Sequence, residues 1–352
     1  MSVVREPHNV LVTGGCGFIG SAFIRWLFRQ PHFSGRVVNL DLLTYAANPE
    51  NVAGAVDEAR YRLVRGDIRD AELVQRVCRE SEVDTLVHFA AESHVDRSIL
   101  GPGEFVDTNI VGTYRLLEVV RALPQIHLHH VSTDEVYGSL GPTGYFTETT
   151  PYCPSSPYSA SKAASDHLVR AYAHTYGIST TLSNCSNNYG PCQFPEKLIP
   201  LMLLNMLERK PLPVYGDGSN VRDWLYVDDH VEAIWTIVCS GVRGETYNIG
   251  GEAEWPNLAL LHRLIDVVSE LTGRDAGSLR QLITFVTDRP GHDQRYAIDC
   301  SKLKRELGWT QRHDLPSGLY DTARWYLEHP DWIERVRTGA YRDWIEKNYG
   351  TR

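Results

Sequence analysis

Two adjacent carboxylates, Asp134 and Glu135, follow Thr133 directly after the apolar run that ends at Val131-Ser132. Where a strand meets its loop, such a pair can serve one substrate in opposite senses, one acid giving a proton while the other takes one. Like charges held close drive one carboxyl pKa upward, so one can be protonated while its neighbour is ionised. Adjacency does not assign the two parts, and strand-to-loop junctions also carry acids as caps and turn formers. Thr133 is placed to hydrogen-bond a reacting hydroxyl and align it. Farther along, Tyr158-Ser-Ala-Ser-Lys162 sets a phenol and an amine one helical turn apart on the same face. A phenol with a reference pKa of about 10 is a poor base alone, but an ammonium one turn away stabilises its anion. Together these residues point to an oxidation with an acid-base elimination attached.

Chemistry of that kind needs a cofactor, and the first segment is built to hold one. Asn9-Val-Leu-Val-Thr13 reads as a strand, Gly14-Gly-Cys-Gly17-Phe18-Ile19-Gly20 as a glycine-rich turn, and the pattern through Ile24, Leu27 and Phe28 as a helix. Without side chains, backbone N–H groups in such a turn approach a pyrophosphate at the positive end of the helix. Asp41 closes the next strand, Val37 to Leu40, about 20 residues beyond the last glycine, the distance at which a carboxylate binds ribose hydroxyls. It favours NAD over NADP, because it would repel a 2′-phosphate and neither Leu42 nor Leu43 offers a cation. A positive nicotinamide ring would add to Lys162 in stabilising the Tyr158 phenolate. Asp67 follows a third strand, Tyr61 to Val64, as an adenine contact or as a turn or helix cap. Further strands at Thr85 to Phe89 and His127 to Val131 alternate with helical stretches, which predicts an α/β fold with a Rossmann-type, doubly wound parallel sheet.

From about Asn187 the texture changes, as Pro191, Pro195, Pro200, Pro211 and Pro213 interrupt the regular pattern. This predicts a smaller, mixed α/β C-terminal substrate lobe. Arg222 to His230 leads into a helix, and Thr246 to Ile249 reads as a strand that returns to the main sheet. The resulting division is 1–188 plus about 222–250 for the cofactor domain, and about 189–221 plus 251–352 for the substrate domain. The 352 residues, 42% hydrophobic and 22% charged, are enough for one large core plus a second lobe. A formal charge of −9 argues against a general partner among nucleic acids or acidic membranes. Seven cysteines, with no Cys-x-x-Cys pair and no histidine at metal-ligand spacing, read as free thiols in a reducing compartment and imply no metal. The longest apolar stretch, Leu198 to Leu207, is too short to span a bilayer, and the first residues lack an apolar signal segment, so a cytoplasmic protein is expected.

These residues resemble the extended short-chain dehydrogenase/reductase family, and within it the branch that dehydrates nucleoside-diphosphate glucoses, dTDP-glucose foremost. The resemblance runs across nearly the whole chain, through Thr13 to Gly20, Ala90 to Ser98, Val131 to Gly138, Ser186 to Pro191, Phe194 to Pro200 and Asp288 to Asp293. It implies Asp134 as general acid, Glu135 as general base, and Tyr158 as the base for the sugar 4-hydroxyl while hydride passes to retained NAD. It implies cofactor contacts at Gly14, Gly17, Phe18, Ile19, Gly20, Asp41, Thr44, Asp67, Ile68, Ala90, Ala91, Thr108, Tyr158, Lys162 and Asn188. It places Ser93, Thr133, Asn187, Lys197, Leu198, Pro213, Tyr215, Arg222, Asn257, Arg289 and His292 around the nucleotide sugar, with Lys197, Arg222 and Arg289 as natural partners for a diphosphate. It further implies a homodimer through helices near 105–122 and 159–176. Leu42 departs from the lysine that relatives often carry after the ribose-binding aspartate. The preference for dTDP over UDP rests on the resemblance alone. The competing readings are a nucleotide-sugar 4-epimerase, which needs no elimination pair, and an idle NAD-sensing scaffold, which would not need the reacting groups.

Overall fold

The computed structural model describes residues 4–288 and 292–337. In chain order its strands are β1 (Asn9–Thr13), β2 (Arg36–Asp41), β3 (Tyr61–Arg65), β4 (Thr85–His88), β5 (His127–Thr133), β6 (Thr180–Cys185), β7 (Asn187–Tyr189), β8 (Leu212–Tyr215), β9 (Val221–Tyr226), β10 (Thr246–Ile249), β11 (Glu254–Pro256) and β12 (Ile283–Val286). Seven of them form one sheet in the order β10-β6-β5-β4-β1-β2-β3, every neighbouring pair parallel. The chain runs outward from β1 to β3, then crosses to β4 on the other side of β1. The crevice at the carboxyl ends of β1 and β4 is therefore the switch point at which doubly wound sheets bind ligands.

Strand alternation sends successive side chains to opposite faces, and both faces are covered. Val10, Val12, Val37 and Val87 pack with Phe23, Ile24 and Leu27 of the helix Phe18–Arg29 and with Ile234 and Val238 of the helix Val227–Ser240. Their neighbours Leu11, Val38, Leu40 and Leu86 pack on the other face against Val74 and Val77 of the helix Ala71–Glu80 and Leu116 to Val120 of the helix Thr113–Ala122. A separate core lies under the helices Leu198–Glu208, Asn257–Thr272 and Leu315–Glu328, beside a three-stranded sheet, β11-β9-β7, and the parallel pair β12-β8. The apolar stretch from Leu198 is thus a buried helix, with Pro200 in its first turn, where a missing N–H costs nothing. Among the described residues no helix is long and apolar enough to cross a membrane.

The sheet interior is unusually polar. On β5, His127 reaches Ser179 and Thr181, at 2.8 and 3.1 Å, and His129 reaches Thr181 and Ser183, at 2.9 and 3.1 Å. On β4, His88 sits between Thr13 and Thr113. Burial holds His127 and His230 at a pKa of about 3 and His130 at about 4, and pushes His88 and His129 well below the usual imidazole range.

A histidine whose folded pKa is depressed binds its proton in the unfolded chain first, so its stabilisation is complete above about pH 6.5 and is lost as pH falls toward the folded value, at about 1.4 kcal/mol per unit per group. Thermal denaturation between pH 7.5 and 4.5 should show the melting temperature falling progressively once pH drops below about 6.5; a flat profile would contradict these assignments.

Candidate active site

A cavity of about 660 Å³ opens at the switch point. Its floor is the turn after β1. Gly14 has φ +71°, and a Cβ there would lie 2.7 Å from the Ala90 backbone, so only glycine lets β1 and the segment after β4 come together. At Gly20 a Cβ would stand 2.3 Å from the Gly14 carbonyl oxygen, which presses the helix Phe18–Arg29 onto the turn. Gly17 differs, since the nearest atom to a Cβ would be the Gly14 oxygen at 3.3 Å, and its side faces the cavity. Asp41 stands at the end of β2, where one carboxylate oxygen accepts the Cys16 N–H at 2.9 Å and the other the Leu43 N–H at 2.8 Å. Each oxygen keeps a further lone pair for a ligand hydroxyl. Burial raises its pKa and those two bonds oppose the rise.

The candidate reacting groups converge from three elements. β5 ends in a 3₁₀ turn, Asp134–Tyr137, capped by the Thr133 hydroxyl, which accepts the Glu135 N–H at 3.2 Å. The capping expectation for this tripeptide therefore holds, and the same turn places its two acids on the cavity. The helix Pro157–Tyr176 starts with a reciprocal Ser156–Ser159 cap and Pro157 in its first turn. That fixes the rotation which turns Tyr158 and Lys162 into the cavity. Tyr158 hydrogen-bonds Thr133, and burial followed by the Glu135 charge pushes its phenol well above the usual range. The Lys162 ammonium is fully inside, donating to the Val131 carbonyl at 2.8 Å. Burial lowers its pKa.

Asp134 is 2% exposed, and one of its oxygens, Oδ2, has no hydrogen-bond partner among the described residues. Burial, then the neighbouring Glu135 and Asp223, raises its pKa well above the carboxylate range, with Arg222 and Thr133 opposing. Glu135 is only half buried. Tertiary placement thus separates the two acids that adjacency left equivalent.

Every cofactor residue expected from the sequence, Gly14, Gly17, Phe18, Ile19, Gly20, Asp41, Thr44, Asp67, Ile68, Ala90, Ala91, Thr108, Tyr158, Lys162 and Asn188, lines this one cavity, as do Ser93, Thr133, Asn187 and Lys197. Leu42, 42% exposed, is on the rim. Asp67 is paired with Arg69 at 2.6 Å. The Asn187 Oδ1 is buried with no hydrogen-bond partner among the described residues, and the Lys197 amine donates to the Ser93 carbonyl at 3.0 Å. Leu198, Pro213, Tyr215, Arg222, Asn257 and His292 do not line it. Arg222 stacks on Tyr296 and donates to the Asp293 carbonyl, and Tyr215 meets the His292 ring edge-on. Arg289 lies outside the described residues. Lining groups that the pattern did not single out include Glu92, Cys185, Gln193 and Glu196. Glu196 is buried with Tyr45, which donates to it at 2.9 Å, and with Arg97 at 3.4 Å, whose guanidinium covers the Tyr45 ring. The signal for that cluster was its position inside Phe194 to Pro200, although a buried carboxylate is invisible without its partners.

A family model described as GDP-mannose 4,6 dehydratase matches residues 11–322. The chain is similar to a dTDP-glucose 4,6-dehydratase of Shigella flexneri, at 52% identity over 359 residues, which covers 97% of this chain and 99% of the relative. Among solved structures, a double mutant of the Streptomyces venezuelae dTDP-glucose 4,6-dehydratase with NAD and DAU bound has a TM-score of 0.87 at 47% identity, covering 93% of this chain and 99% of that one. The Bacillus anthracis dTDP-glucose 4,6-dehydratase in complex with NAD has a TM-score of 0.85 at 45% identity, covering 94% and 99%.

The glycines give a test that separates folding from binding. Gly20→Ala should lower the melting temperature by several degrees, whereas Gly17→Ala should leave it nearly unchanged but retain less dinucleotide through gel filtration. Equal thermal losses in both variants would show that Gly17 is held by the fold alone.

Proposed function

The chain belongs to the GDP-mannose 4,6 dehydratase family, and from that premise we propose that it converts dTDP-glucose into the 4-keto-6-deoxy sugar nucleotide with NAD as a retained cofactor. The observation that carries this reading is a buried, high-pKa Asp134 beside the less buried Glu135, in the same cavity as Tyr158 and Lys162. An epimerase would need the tyrosine and lysine but not the pair of acids.

The residues fit the dinucleotide. Gly17 leaves its side of the turn open, the helix Phe18–Arg29 begins there with no side chain capping it, and Asp41 has acceptor capacity to spare. Bound there, NAD would accept the hydride of sugar carbon 4 and return it to carbon 6. Tyr158, held by Thr133, takes the proton of the 4-hydroxyl, and the Lys162 charge favours the resulting phenolate. Once carbon 4 is a ketone, the hydrogen on carbon 5 is acidic. Glu135 removes that proton as Asp134 gives its own to the 6-hydroxyl, so water leaves and carbons 5 and 6 become doubly bonded. When carbon 6 is reduced, carbon 5 takes up a proton from Glu135, whose half-buried carboxyl has by then exchanged its proton with solvent. Lys197 on the lining supplies charge for the diphosphate, joined in this reading by Arg222 and Arg289.

Two experiments test it. Incubation with dTDP-glucose and UDP-glucose in parallel should give the 4-keto product faster from dTDP-glucose. The double variant D134N/E135Q should still develop the absorbance of bound NADH on substrate addition but lose 4-keto-6-deoxy product by a factor of at least about 100. Unchanged turnover would contradict the roles of the two acids.

The same reading divides the chain into a cofactor domain, 1–188 with about 222–250, and a substrate domain from the rest. It places the protein in the cytoplasm, consistent with seven unpaired cysteines. It also makes the enzyme a homodimer, supported by the exposed apolar side chains Leu100, Val106, Tyr114 and Tyr176 on and beside the helices near 105–122 and 159–176. Sedimentation should find the mass of two chains; a monomer at micromolar concentration would contradict the dimer.

A further inference from the structure

The helix Pro157–Tyr176 carries more chemistry than its first two turns use. Tyr158, Lys162, Asp166 and Arg170 follow one another at intervals of four residues, so a phenol, an ammonium, a carboxylate and a guanidinium stand one above the next on one face. Asp166 is fully buried. Its Oδ2 accepts the hydroxyls of Ser132 and Tyr152, each at 2.9 Å, and the Asn184 amide at 3.3 Å. Arg170 donates to the same Tyr152 oxygen at 2.7 Å. The Asn184 amide also donates to the Thr133 carbonyl at 3.1 Å. The carboxylate is therefore tied both to the lysine's helix and to the strand end that carries the two acids.

Resting on the function proposed above, we propose that Asp166 is a positioning residue that keeps Lys162 protonated, as the third rung of a ladder of ionisable groups running from the cavity to Arg170. A buried ammonium is strongly destabilised unless an opposite charge accompanies it. The groups facing this pair from neighbouring elements do not supply one. His130 on β5, at 3.2 Å from Asp166, and His88 on β4 are held neutral by burial, and the Cys185 thiol on β6 and the Tyr137 and Tyr152 phenols are pushed up by burial. Among the influences on Lys162, burial acts first to strip its proton and Asp166 is the strongest that opposes it.

The test is D166N, which keeps shape and removes charge. In the unmutated protein the rate of bound NADH formation on dTDP-glucose is followed against pH, which also tests the underlying reading. In D166N, Lys162 should lose its proton earlier, moving the alkaline limb of that profile down by about one pH unit or more, roughly a tenfold rate loss at a fixed pH on that limb. In a K162R background, where the cation does not titrate, the limb set by Lys162 is gone, and whatever alkaline limb remains should not move when D166N is added. A uniform loss with unmoved limbs, or an equal shift in K162R, overturns the proposal while leaving the dehydratase reading intact. A thermal cycle with K162M covers the case in which D166N does not fold. The double variant K162M/D166N should then be more stable than D166N, because no unpaired charge remains buried; purely additive losses, or a double variant that does not fold while K162M does, overturn it.

Discussion

An ionisable group taken out of water is destabilised unless the protein replaces its hydration, and three such groups, Asp134, Tyr158 and Lys162, meet at the end of β5. Each meets that cost differently. Lys162 donates to a backbone carbonyl that the strand end leaves free. Tyr158 remains a phenol, poised until a positive charge arrives to favour its anion. Asp134 has its pKa pushed well above the carboxylate range by burial, which favours its neutral form. The parallel sheet makes this possible because its strands end together and leave a crevice between covered faces.

The same constraint explains why the sheet interior is polar where a doubly wound core is usually aliphatic. His127 and His129 on β5 are matched, hydroxyl for imidazole, by Ser179, Thr181 and Ser183 along β6. Asp166 is matched by Ser132, Tyr152 and Asn184. The hydrogen bonds of His127 and His129 fix β5 against β6 in a single register, while the ring nitrogens of the adjacent His130 and the Asp166 Oδ1 make no hydrogen bond among the described residues. The acids at the end of β5 inherit that precision.

This polarity also marks where the sequence was hard to read. β1 and its glycine turn were legible because apolar alternation, glycine spacing and Asp41 all act locally. The strand β6, Thr-Thr-Leu-Ser-Asn-Cys, carries no apolar pattern, since its side chains are buried by hydrogen bonding to histidines about 50 residues earlier. The small sheets of β7, β9 and β11 and of β8 and β12 were likewise hidden, being three to six residues long and paired across distant segments. For the site, residue types and spacing singled out the tyrosine, the lysine and both acids, which the fold brings to one cavity. They could not separate the two acids, because the rise in the Asp134 pKa comes from its burial and from the charges of Glu135 and Asp223, with Arg222 opposing. Arg222, Asn257 and His292, named by resemblance, lie off the cavity that the cofactor residues line, so their part could not be read from position along the chain.

The central claim is that water is eliminated between two hydride transfers, with Glu135 handling the hydrogen of carbon 5. Mass spectrometry of the sugar nucleotide formed in D₂O tests both halves at once. The account predicts a product that lacks the elements of one water and carries one solvent deuterium at carbon 5. A product of unchanged composition, or one that has lost water without taking up deuterium at that carbon, would contradict it.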